Sequence, residues 1–254
     1  MKLIFKKNIH KLLVAIGLRD KEAIYLNNSP LIRNIAKFVV NECVVGDYYE
    51  FGVYRGQTLV SFYNTIQSVA KKRLMNESVI GVDKFSRSKR KEICNNMFFH
   101  AFDSFEGLPE LSSEDELSDD FKKGQFLSSA EVVTNLAKKH SMPSELIKFH
   151  AGWFSQTCNS QYAKEHSLNK ASVIWLDCDL YSSAVDALNI FSEIIQDGTI
   201  IVVDDWFNFK GHPDRGVQRA FNEWRNSKMI SDKFIVHEYN KDSWSKVSFI
   251  VNIR

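Results

Sequence analysis

Two short apolar runs in the second half of the chain are separated by a stretch with helical periodicity. The runs are Val173–Leu176 and Thr199–Val203, and their length suits strands that are buried on both faces of a parallel sheet. The stretch between them opens at Ser182 or Ser183 and stops at Gly198, and it spaces its apolar residues as a helix does: Val185, Leu188, Phe191 (or Ile190) and Ile195. This strand–helix–strand unit predicts two adjacent parallel strands.

The remaining pattern predicts more strands and helices in alternation. The aromatic run Tyr48–Phe51 leads into a glycine turn and a helix from about Thr58. Ser128 and Glu131 form a capping box that opens a helix through Lys139. Further strands are predicted at Met97–Phe102 and Ile147–Ala151, and after a helix with Val217, Phe221 and Trp224 on one face, a hairpin of Phe234–Val236 and Val247–Val251 closes the chain.

The length of 254 residues fits one α/β domain with an extension. We assign residues 1–44 to an N-terminal helical extension and residues 45–254 to the main domain. The extension is predicted to hold two helices separated at Asn27–Pro30, and the second has an apolar stripe: Leu31, Ile35, Phe38 and Val39.

The first of these helices is basic and amphipathic. Such a helix lies on a membrane surface, or it packs on its own domain or on a second subunit. We expect packing, and therefore no stable membrane anchor and a homo-oligomer formed through the N-terminal helices. No stretch of the sequence is long enough to span a bilayer.

Two charged stretches have no clear periodicity. Residues 71–97 include a brief apolar run at Val79–Asp83, which fits either a minor strand or a loop insertion. The acidic stretch Ser112–Phe121 is predicted to be a solvated loop, with a mobile cover over the site as the alternative.

Composition excludes several classes of protein. The 33 basic and 31 acidic residues nearly balance, so no overall field points to nucleic acid as a partner. The four cysteines are scattered and form no C-x-x-C pair, which is typical of reduced thiols in a cytoplasmic protein.

Carboxylates follow both strands of the central unit. Asp177 and Asp179 follow the first strand, and Asp204 and Asp205 follow the second. Parallel strands end at the same edge of a sheet, where open α/β folds bind ligands. Because like charges this close are costly without a neighbouring cation, the pattern predicts a cation site. All-oxygen ligands favour Mg²⁺, with Ca²⁺ or Mn²⁺ as substitutes.

The glycine turn after the first strand has the sequence E-x-G-x-x-x-G, with Gly52 and Gly56. A strand, a glycine turn and a helix N-terminus allow backbone N–H groups to approach a cofactor. The turn lacks the G-x-G-x-x-G fingerprint and the lysine of a P-loop. Asp103 ends the next strand, a position from which an acidic residue binds ribose hydroxyls in nucleotide-binding folds.

Several segments together resemble the class I S-adenosylmethionine-dependent methyltransferases, and more narrowly the macrocin O-methyltransferase-like family. They occur in family order over roughly residues 45–250 and read EFGVYRGQTL (50–59), FDSFEGLPE (102–110), GWFSQT (152–157), LDCDLYSS (176–183) and DDW (204–206). The resemblance implies a Rossmann-like sheet of seven mostly parallel strands with an antiparallel last strand. The chain is short at both ends compared with the macrolide enzymes, so their substrate-binding parts cannot be carried over.

The resemblance also implies roles for individual residues. The methionine part of the cofactor would lie at Glu50, Gly52, Arg55 and Gly56, with its ribose at Asp103 and Ser104 and its adenine near Gly152 and Trp153. In metal-dependent members, carboxylates at the positions of Asp177, Asp204 and Asp205 bind Mg²⁺, and Asp177 then also borders the cofactor.

Methyl transfer to an alcohol requires positioning and help in deprotonating the acceptor. His212 is the first candidate for the general base and Asp179 the second. Alternatively, His212 belongs with Lys210 and Arg215 to a clamp for a phosphate or carboxylate on the substrate. Tyr54 and Trp153 are candidates for cation–π contact with the sulfonium.

The sequence therefore predicts a Mg²⁺-assisted O-methyltransferase that acts on a hydroxyl of a sugar, glycoside or related small metabolite. Two alternatives remain open at this point. One is a nicotinamide-dependent oxidoreductase on a similar sheet, and the other is a non-catalytic methyltransferase-like subunit that serves in assembly.

Overall fold

A computed structural model describes residues 29–80, 83–115, 121–241 and 245–254. The first predicted N-terminal helix, and with it the predicted subunit contact, lies outside these residues. None of the described helices combines the length and the apolarity needed to cross a bilayer.

Seven strands form one sheet in the order β3-β2-β1-β4-β5-β7-β6. Strands β1 to β5 are parallel, and β7 runs antiparallel to both β5 and β6. The predicted fold class is confirmed, including the closing hairpin. The strands are β1 (Asp47–Phe51), β2 (Phe99–Asp103), β3 (Ile147–Ala151), β4 (Ala171–Leu176), β5 (Ile200–Val203), β6 (Phe234–Lys241) and β7 (Val247–Ile253).

Helices cover both faces of the sheet. Every residue of β1, β4 and β5 is buried, because alternate side chains of each strand enter two separate cores. In chain order the helices are α1 (Pro30–Asn41), α2 (Gln57–Ile80), α3 (Lys84–Asn96), α4 (Ala130–Lys139), α5 (Phe154–Thr157), α6 (Ser160–Glu165), α7 (Tyr181–Leu188), α8 (Phe191–Ile194), α9 (Gly216–Asn226) and α10 (Lys228–Ser231). A 3₁₀ turn lies at Ser144–Leu146 and an irregular turn at Asn208–Gly211.

Helix α1 begins where the sequence predicts. The Ser29 hydroxyl accepts the N–H of Ile32 at 3.4 Å, and Pro30 occupies the first helical position. Its apolar stripe, which includes the buried residues Leu31, Ile35 and Val39, packs into the same core as α2. The division of the chain at residue 44 stays a prediction.

Three local predictions are wrong. The described residues of the stretch 71–97 form neither a minor strand nor a loop insertion. Helix α2 continues to Ile80, and Asp83 caps a second helix, α3, by accepting the N–H groups of Phe85 and Ser86. The N-cap of α4 is Ser129, which accepts the N–H of Val132. The buried hydroxyl of the predicted cap Ser128 has no hydrogen-bond partner among the described residues.

The third wrong prediction is the start of the central helix. Helix α7 begins at Tyr181 without a side-chain cap of its own, and Val185 is exposed and not in the core. The buried residues of the helix are Ala184, Ala187 and Leu188. Because successive residues are turned by about 100°, Val185 points away from this buried face. The helix then breaks after Leu188 and resumes as α8.

A buried histidine pair spans β2 and β3. His100 Nδ1 lies 2.9 Å from His150 Nε2, and Tyr162 Oη lies 3.1 Å from His150 Nδ1. Burial, with the nearby His100 and His166, lowers the pKa of His150 to about 3. The folded protein therefore holds His150 neutral below the pH at which it would take up a proton in the unfolded chain.

We expect this histidine to make the fold sensitive to acid. Below about pH 6.5 the unfolded chain binds a proton that the folded chain excludes, so the free energy of unfolding falls by up to about 1.4 kcal/mol per pH unit. Denaturant unfolding between pH 7 and pH 5 should show a shallower loss for His150→Gln than for the wild type. The exposed His237→Gln should keep the wild-type slope.

Candidate active site

The ends of four parallel strands are held level with one another at one edge of the sheet. Gly52 N donates to Phe102 O, Asp177 N donates to Phe51 O, and Asp204 N donates to Leu176 O, each at 2.9 Å. The chain leaves β1 towards β2 and returns on the other side of β1 as β4. Such a reversal of strand order opens a crevice where α/β folds bind ligands. Gly52, Asp177 and Asp204, which were predicted as site residues, lie at this edge.

The glycine turn lies directly against the next strand end. Gly52 has φ +89°, and a Cβ built on it would lie 1.7 Å from the carbonyl oxygen of Asp177. Gly56 has φ +79°, and a Cβ there would lie 2.7 Å from Val133 Cγ1. Both positions need glycine for its conformation and for space, so the turn does more than reverse the chain direction.

Asp103 fixes the shape of this turn. Its Oδ2 accepts the N–H groups of Val53 at 2.8 Å and Tyr54 at 3.0 Å, and its Oδ1 accepts that of Phe105 at 2.8 Å. A carboxylate offers about four acceptor sites, so capacity remains for a sugar hydroxyl. The Ser104 hydroxyl donates to Gly107 O and accepts the N–H of Glu106, and thereby shapes the following loop.

A cavity of about 530 Å³ lies over this edge of the sheet. Its volume is that of a site for a small molecule or cofactor. Of the ten residues predicted to hold the cofactor, eight line the cavity and two, Gly56 and Gly152, do not. Those that line it are Glu50, Gly52, Tyr54, Arg55, Asp103, Ser104, Trp153 and Asp177.

A segment that we call the cover loop, residues 104–115 and 121–127, forms one wall of the cavity. Its two arms are joined by hydrogen bonds from Leu108 N to Gln125 O and from Gly124 N to Leu108 O. Asp115 is fully buried and accepts the N–H of Tyr181 at 2.7 Å and the Ser182 hydroxyl at 2.6 Å. The prediction of a solvated loop is therefore wrong at Asp115, which caps the N-terminus of α7 although it is distant in sequence. Residues 116–120 lie outside the described part of the chain.

We expect Asp115→Asn to weaken cofactor binding. The amide cannot replace the charged acceptor for both donors, and loss of such bonds costs about 1.5–3 kcal/mol each. The Kd for S-adenosylhomocysteine should rise by about tenfold because the cover loop is no longer anchored. Glu114→Gln is the matched control, since it removes only the exposed pair with Arg219 and should change the Kd little. Equal Kd values for both variants would contradict the anchoring role.

The three aspartates that the resemblance assigned to the metal lie together at this edge of the sheet. One carboxylate oxygen each from Asp177, Asp204 and Asp205 lies within 4.8 Å of the other two. Asp205 has φ +56° and Asp179 has φ +62°. Left-handed backbone at non-glycine residues is strained and is often found at functional sites. We call these four residues the acidic cluster.

Three residues of the acidic cluster, Asp177, Asp179 and Asp205, have raised pKa values. Burial, followed by the charge of Asp177, raises the pKa of Asp179 to about 7. Burial and the charges of Asp177 and Asp179 raise the pKa of Asp205 to about 9. Burial also raises the pKa of Asp177. Crowded, buried carboxylates with raised pKa values are typical of functional sites, including those that bind a cation.

Comparison with known proteins identifies the family. The model of the family described as Macrocin-O-methyltransferase (TylF) matches residues 87–246, which is more than half of the chain. The chain belongs to the macrocin O-methyltransferase family. It is an S-adenosylmethionine-dependent O-methyltransferase, as the resemblance implied.

Individual relatives agree with this assignment. The chain is 23% identical over 221 residues to demethyldecarbamoylnovobiocin O-methyltransferase of Streptomyces niveus, covering 85% of this chain and 71% of the relative. It is 28% identical over 109 residues to 8-demethyl-8-(2,3-dimethoxy-alpha-L-rhamnosyl)-tetracenomycin-C 4'-O-methyltransferase of Streptomyces olivaceus, covering 41% of this chain and 40% of the relative.

The solved structures show the same fold. The O-methyltransferase NovP matches with a TM-score of 0.61 at 20% identity, covering 88% of this chain and 78% of NovP. The calicheamicin methyltransferase CalS11 matches with a TM-score of 0.59 at 17% identity, covering 96% and 85%. These comparisons favour neither the nicotinamide-dependent oxidoreductase nor the non-catalytic assembly subunit.

The two candidates for the general base stand in different places in this methyltransferase. Asp179 lines the cavity. His212 is exposed, and its Nδ1 accepts the N–H of Asp214 at 3.2 Å. The proposed clamp partners Lys210 and Arg215 lie in the same segment as His212. Lys210 belongs to the irregular turn, in which it and Phe209 have positive φ, and Arg215 directly precedes α9.

The two candidates for cation–π contact lie on the cavity wall. Tyr54 is partly exposed, with Arg55 Cζ 5.2 Å from its ring centroid and the Phe126 ring 5.7 Å away at a steep angle. Trp153 precedes the short helix α5. Their role towards a sulfonium stays a prediction.

Two residues that bind carboxylates of the O-methyltransferase site, Tyr48 and Lys246, were not predicted from the sequence. Tyr48 donates its hydroxyl to Glu50 Oε2 at 2.6 Å and so orients a carboxylate whose pKa burial raises well above its usual range. Lys246 pairs with Asp204 Oδ2, while Asp204 Oδ1 accepts from Asp205 N and the Ser245 hydroxyl. The last strand of a sheet is a long way in sequence from the motifs, and only its pairing with β5 reveals this lysine.

Proposed function

We propose that the chain is a Mg²⁺-assisted O-methyltransferase that transfers a methyl group to a hydroxyl of a sugar, glycoside or related small metabolite. The observation that carries the proposal is the convergence of Asp177, Asp204 and Asp205 within 4.8 Å beside the cofactor cavity. The metal and the acceptor are the parts of this proposal that go beyond family membership.

The acidic cluster fits a dication. Asp205 Oδ2 is buried and accepts no hydrogen bond from the part of the chain that the structure describes, and a buried carboxylate oxygen without a partner is costly. Its other oxygen is held by the Asn208 side chain at 3.0 Å, so the carboxylate is oriented. When bound, Mg²⁺ would lower the pKa of the acceptor hydroxyl and stabilise its deprotonated form.

The chain's own residues would orient the donor and receive the proton. We assign the cavity wall around Gly52, Asp103 and Trp153 to the donor, S-adenosylmethionine. The acceptor oxygen forms a bond to the methyl carbon as the carbon–sulfur bond breaks, and the electron pair of that bond leaves with the sulfur of S-adenosylhomocysteine. The proton of the hydroxyl would pass to Asp179.

Asp179 suits this role better than His212 does. It lines the cavity beside Asp177, whereas His212 is exposed in a surface loop. A general base must lie within hydrogen-bond reach of the proton that it takes. Asp179→Asn should therefore lower kcat by about 10²-fold or more. His212→Gln should retain most of the activity, and the opposite order of effects would restore His212 as the base.

A sugar acceptor is supported by the relatives. The tetracenomycin methyltransferase is named for a rhamnosyl substrate. CalS11 is itself named a TDP-rhamnose 3'-O-methyltransferase. Incubation with S-adenosylmethionine, Mg²⁺ and separate pools of nucleotide sugars, glycosides and catechols, followed by mass spectrometry, tests the proposal. We expect added methyl groups in a sugar pool, and abolition by EDTA; methylation of catechols alone would overturn the sugar assignment.

A further inference from the structure

The pairing of the last strand places a lysine opposite the acidic cluster. Strand β7 is antiparallel to β5, with Val247 opposite Val203. Asp204 is the residue after β5, and Lys246 is the residue before β7. Antiparallel neighbours that extend one residue beyond a matched pair face each other. The register of the sheet therefore fixes Lys246 beside Asp204.

Lys246 holds the one oxygen of Asp204 that the backbone and Ser245 leave open. Asp204 Oδ1 accepts Asp205 N at 2.9 Å and the Ser245 hydroxyl at 3.1 Å. Its Oδ2 pairs with the Lys246 ammonium. The carboxylate of Asp204 is only 7% exposed, whereas the Lys246 side chain is 30% exposed. The aspartate is thus fixed, and the lysine reaches it from the solvent side.

The ammonium also lies near other carboxylates of the site. Burial lowers the pKa of Lys246, and the charges of Asp177, Glu50 and Asp179 oppose this shift. Its Nζ also lies 5.8 Å from the ring centroid of Trp175, in β4 directly before the acidic cluster. One flexible side chain thus supplies positive charge to several buried carboxylates.

A divalent cation and this ammonium would compete for Asp204 Oδ2. Mg²⁺ binds carboxylate oxygens at about 2.0–2.1 Å and repels a neighbouring cation. A lysine on a four-carbon stem can leave such a contact, because its side chain has several rotatable bonds and is partly exposed. The fixed aspartate cannot follow it.

We propose that Lys246 is the counter-ion of the acidic cluster in the metal-free enzyme, and that a divalent cation must displace it from Asp204 Oδ2 to bind. This inference rests on the proposed metal site. Lys246 is a positioning residue here: it keeps the cluster assembled without metal and lowers the affinity for metal. The chain would thereby bind Mg²⁺ weakly and reversibly.

The test compares Lys246→Met, Lys246→Arg and the wild type, with Lys241→Met as matched control. Lys241 lies on the same hairpin, opposite Val247, and forms an ion pair with the exposed Glu238. Binding of Mn²⁺ to chelator-treated protein is measured by electron paramagnetic resonance, with Mg²⁺ as competitor. The Tm in EDTA is recorded for each protein.

We expect Lys246→Met to bind Mn²⁺ at least about tenfold more tightly than the wild type, a typical size for coupling between two competing ligands. Its Tm in EDTA should fall below that of the wild type. Lys246→Arg keeps the charge and should restore both values towards wild type. Lys241→Met should match the wild type in both measurements.

The other outcomes separate the inference from the proposed function. If the wild type binds Mn²⁺ and Lys246→Met binds it equally or more weakly, the role of Lys246 is overturned and the metal site stands. If only Lys246→Met binds Mn²⁺, the lysine is confirmed as the occupant of the cluster and metal assistance in the native enzyme is overturned. If neither protein binds Mn²⁺ or Mg²⁺, both proposals are overturned.

Discussion

Asp205→Asn is expected to reduce kcat for methyl transfer by at least about 10³-fold, which corresponds to about 4 kcal/mol of lost transition-state stabilisation. The substitution removes one of the three carboxylates that converge at the strand ends. The amide is a poorer ligand for a hard cation. The acceptor hydroxyl would then keep its ordinary pKa, and the displacement would lose its activated nucleophile.

The same variant should not be less stable without metal. Burial and the charges of Asp177 and Asp179 raise the pKa of Asp205 to about 9, so its ionised form is disfavoured in the folded protein. A neutral amide of the same shape avoids the cost of burying a charge beside Asp177 and Asp179. Its oxygen can still accept the hydrogen bond from the Asn208 side chain. We expect the Tm in EDTA to stay equal or to rise, a combination of lost activity and kept stability that is typical of functional residues.

Assays of kcat and Tm on the same preparations check both expectations. Asp232→Asn, an exposed aspartate after α10, is the control and should change neither. Activity of Asp205→Asn within tenfold of the wild type would rule out the assigned ligand. A large fall in its metal-free Tm would instead point to a structural role for this carboxylate.

Gly52→Ala should destabilise the fold by at least about 4 kcal/mol and abolish binding of S-adenosylhomocysteine. The backbone at Gly52 has φ +89°, which costs an L residue about 1–2 kcal/mol. The added Cβ would also lie 1.7 Å from the carbonyl of Asp177. Since that carbonyl belongs to the neighbouring strand end, the overlap can be relieved only by separating the turn from the acidic cluster.

Gly124→Ala isolates the conformational part of this effect. Gly124 has φ +77°, but no atom of residues 29–80, 83–115, 121–241 or 245–254 lies within 4 Å of a Cβ built there. It should therefore cost only about 1–2 kcal/mol of stability, well below the loss expected at Gly52. Urea unfolding and calorimetric titration of both variants test the comparison. Equal losses at the two glycines would show that close backbone approach at Gly52 is unimportant.

The strands of the sheet were predictable because each leaves a local signal. Runs such as Val173–Leu176 are apolar throughout, and a strand buried on both faces needs this composition. The carboxylates after β4 and β5 were predictable as neighbours because parallel strands joined by one crossover lie side by side. The family motifs added the identity of the donor.

Helix boundaries were less predictable, since the deciding partners lie elsewhere in the chain. Helix α7 begins at Tyr181 because Asp115, more than sixty residues earlier, accepts its first N–H group. The local candidates Ser182 and Ser183 were plausible caps by sequence alone. In the stretch 71–97, charged residues on exposed helix faces concealed the end of α2 and all of α3, which buries only Arg90, Ile93 and Cys94.

Lys246 could not be assigned by the same local rules. It stands in an ordinary position before a β-strand, and no motif marks it. Its place beside Asp204 follows only from the antiparallel register of β5 and β7. Long-range pairing is thus what converts an unremarked lysine into part of the acidic cluster.

The central claim is that the carboxylates at the ends of β4 and β5 bind a divalent cation beside the donor cavity. The most direct test is a crystal grown with S-adenosylhomocysteine and Mn²⁺, measured at a wavelength where manganese scatters anomalously. We predict one anomalous peak per chain, contacted by Asp177, Asp204 and Asp205, with S-adenosylhomocysteine against the Gly52 turn. Bound S-adenosylhomocysteine with no anomalous peak between these three carboxylates would contradict it.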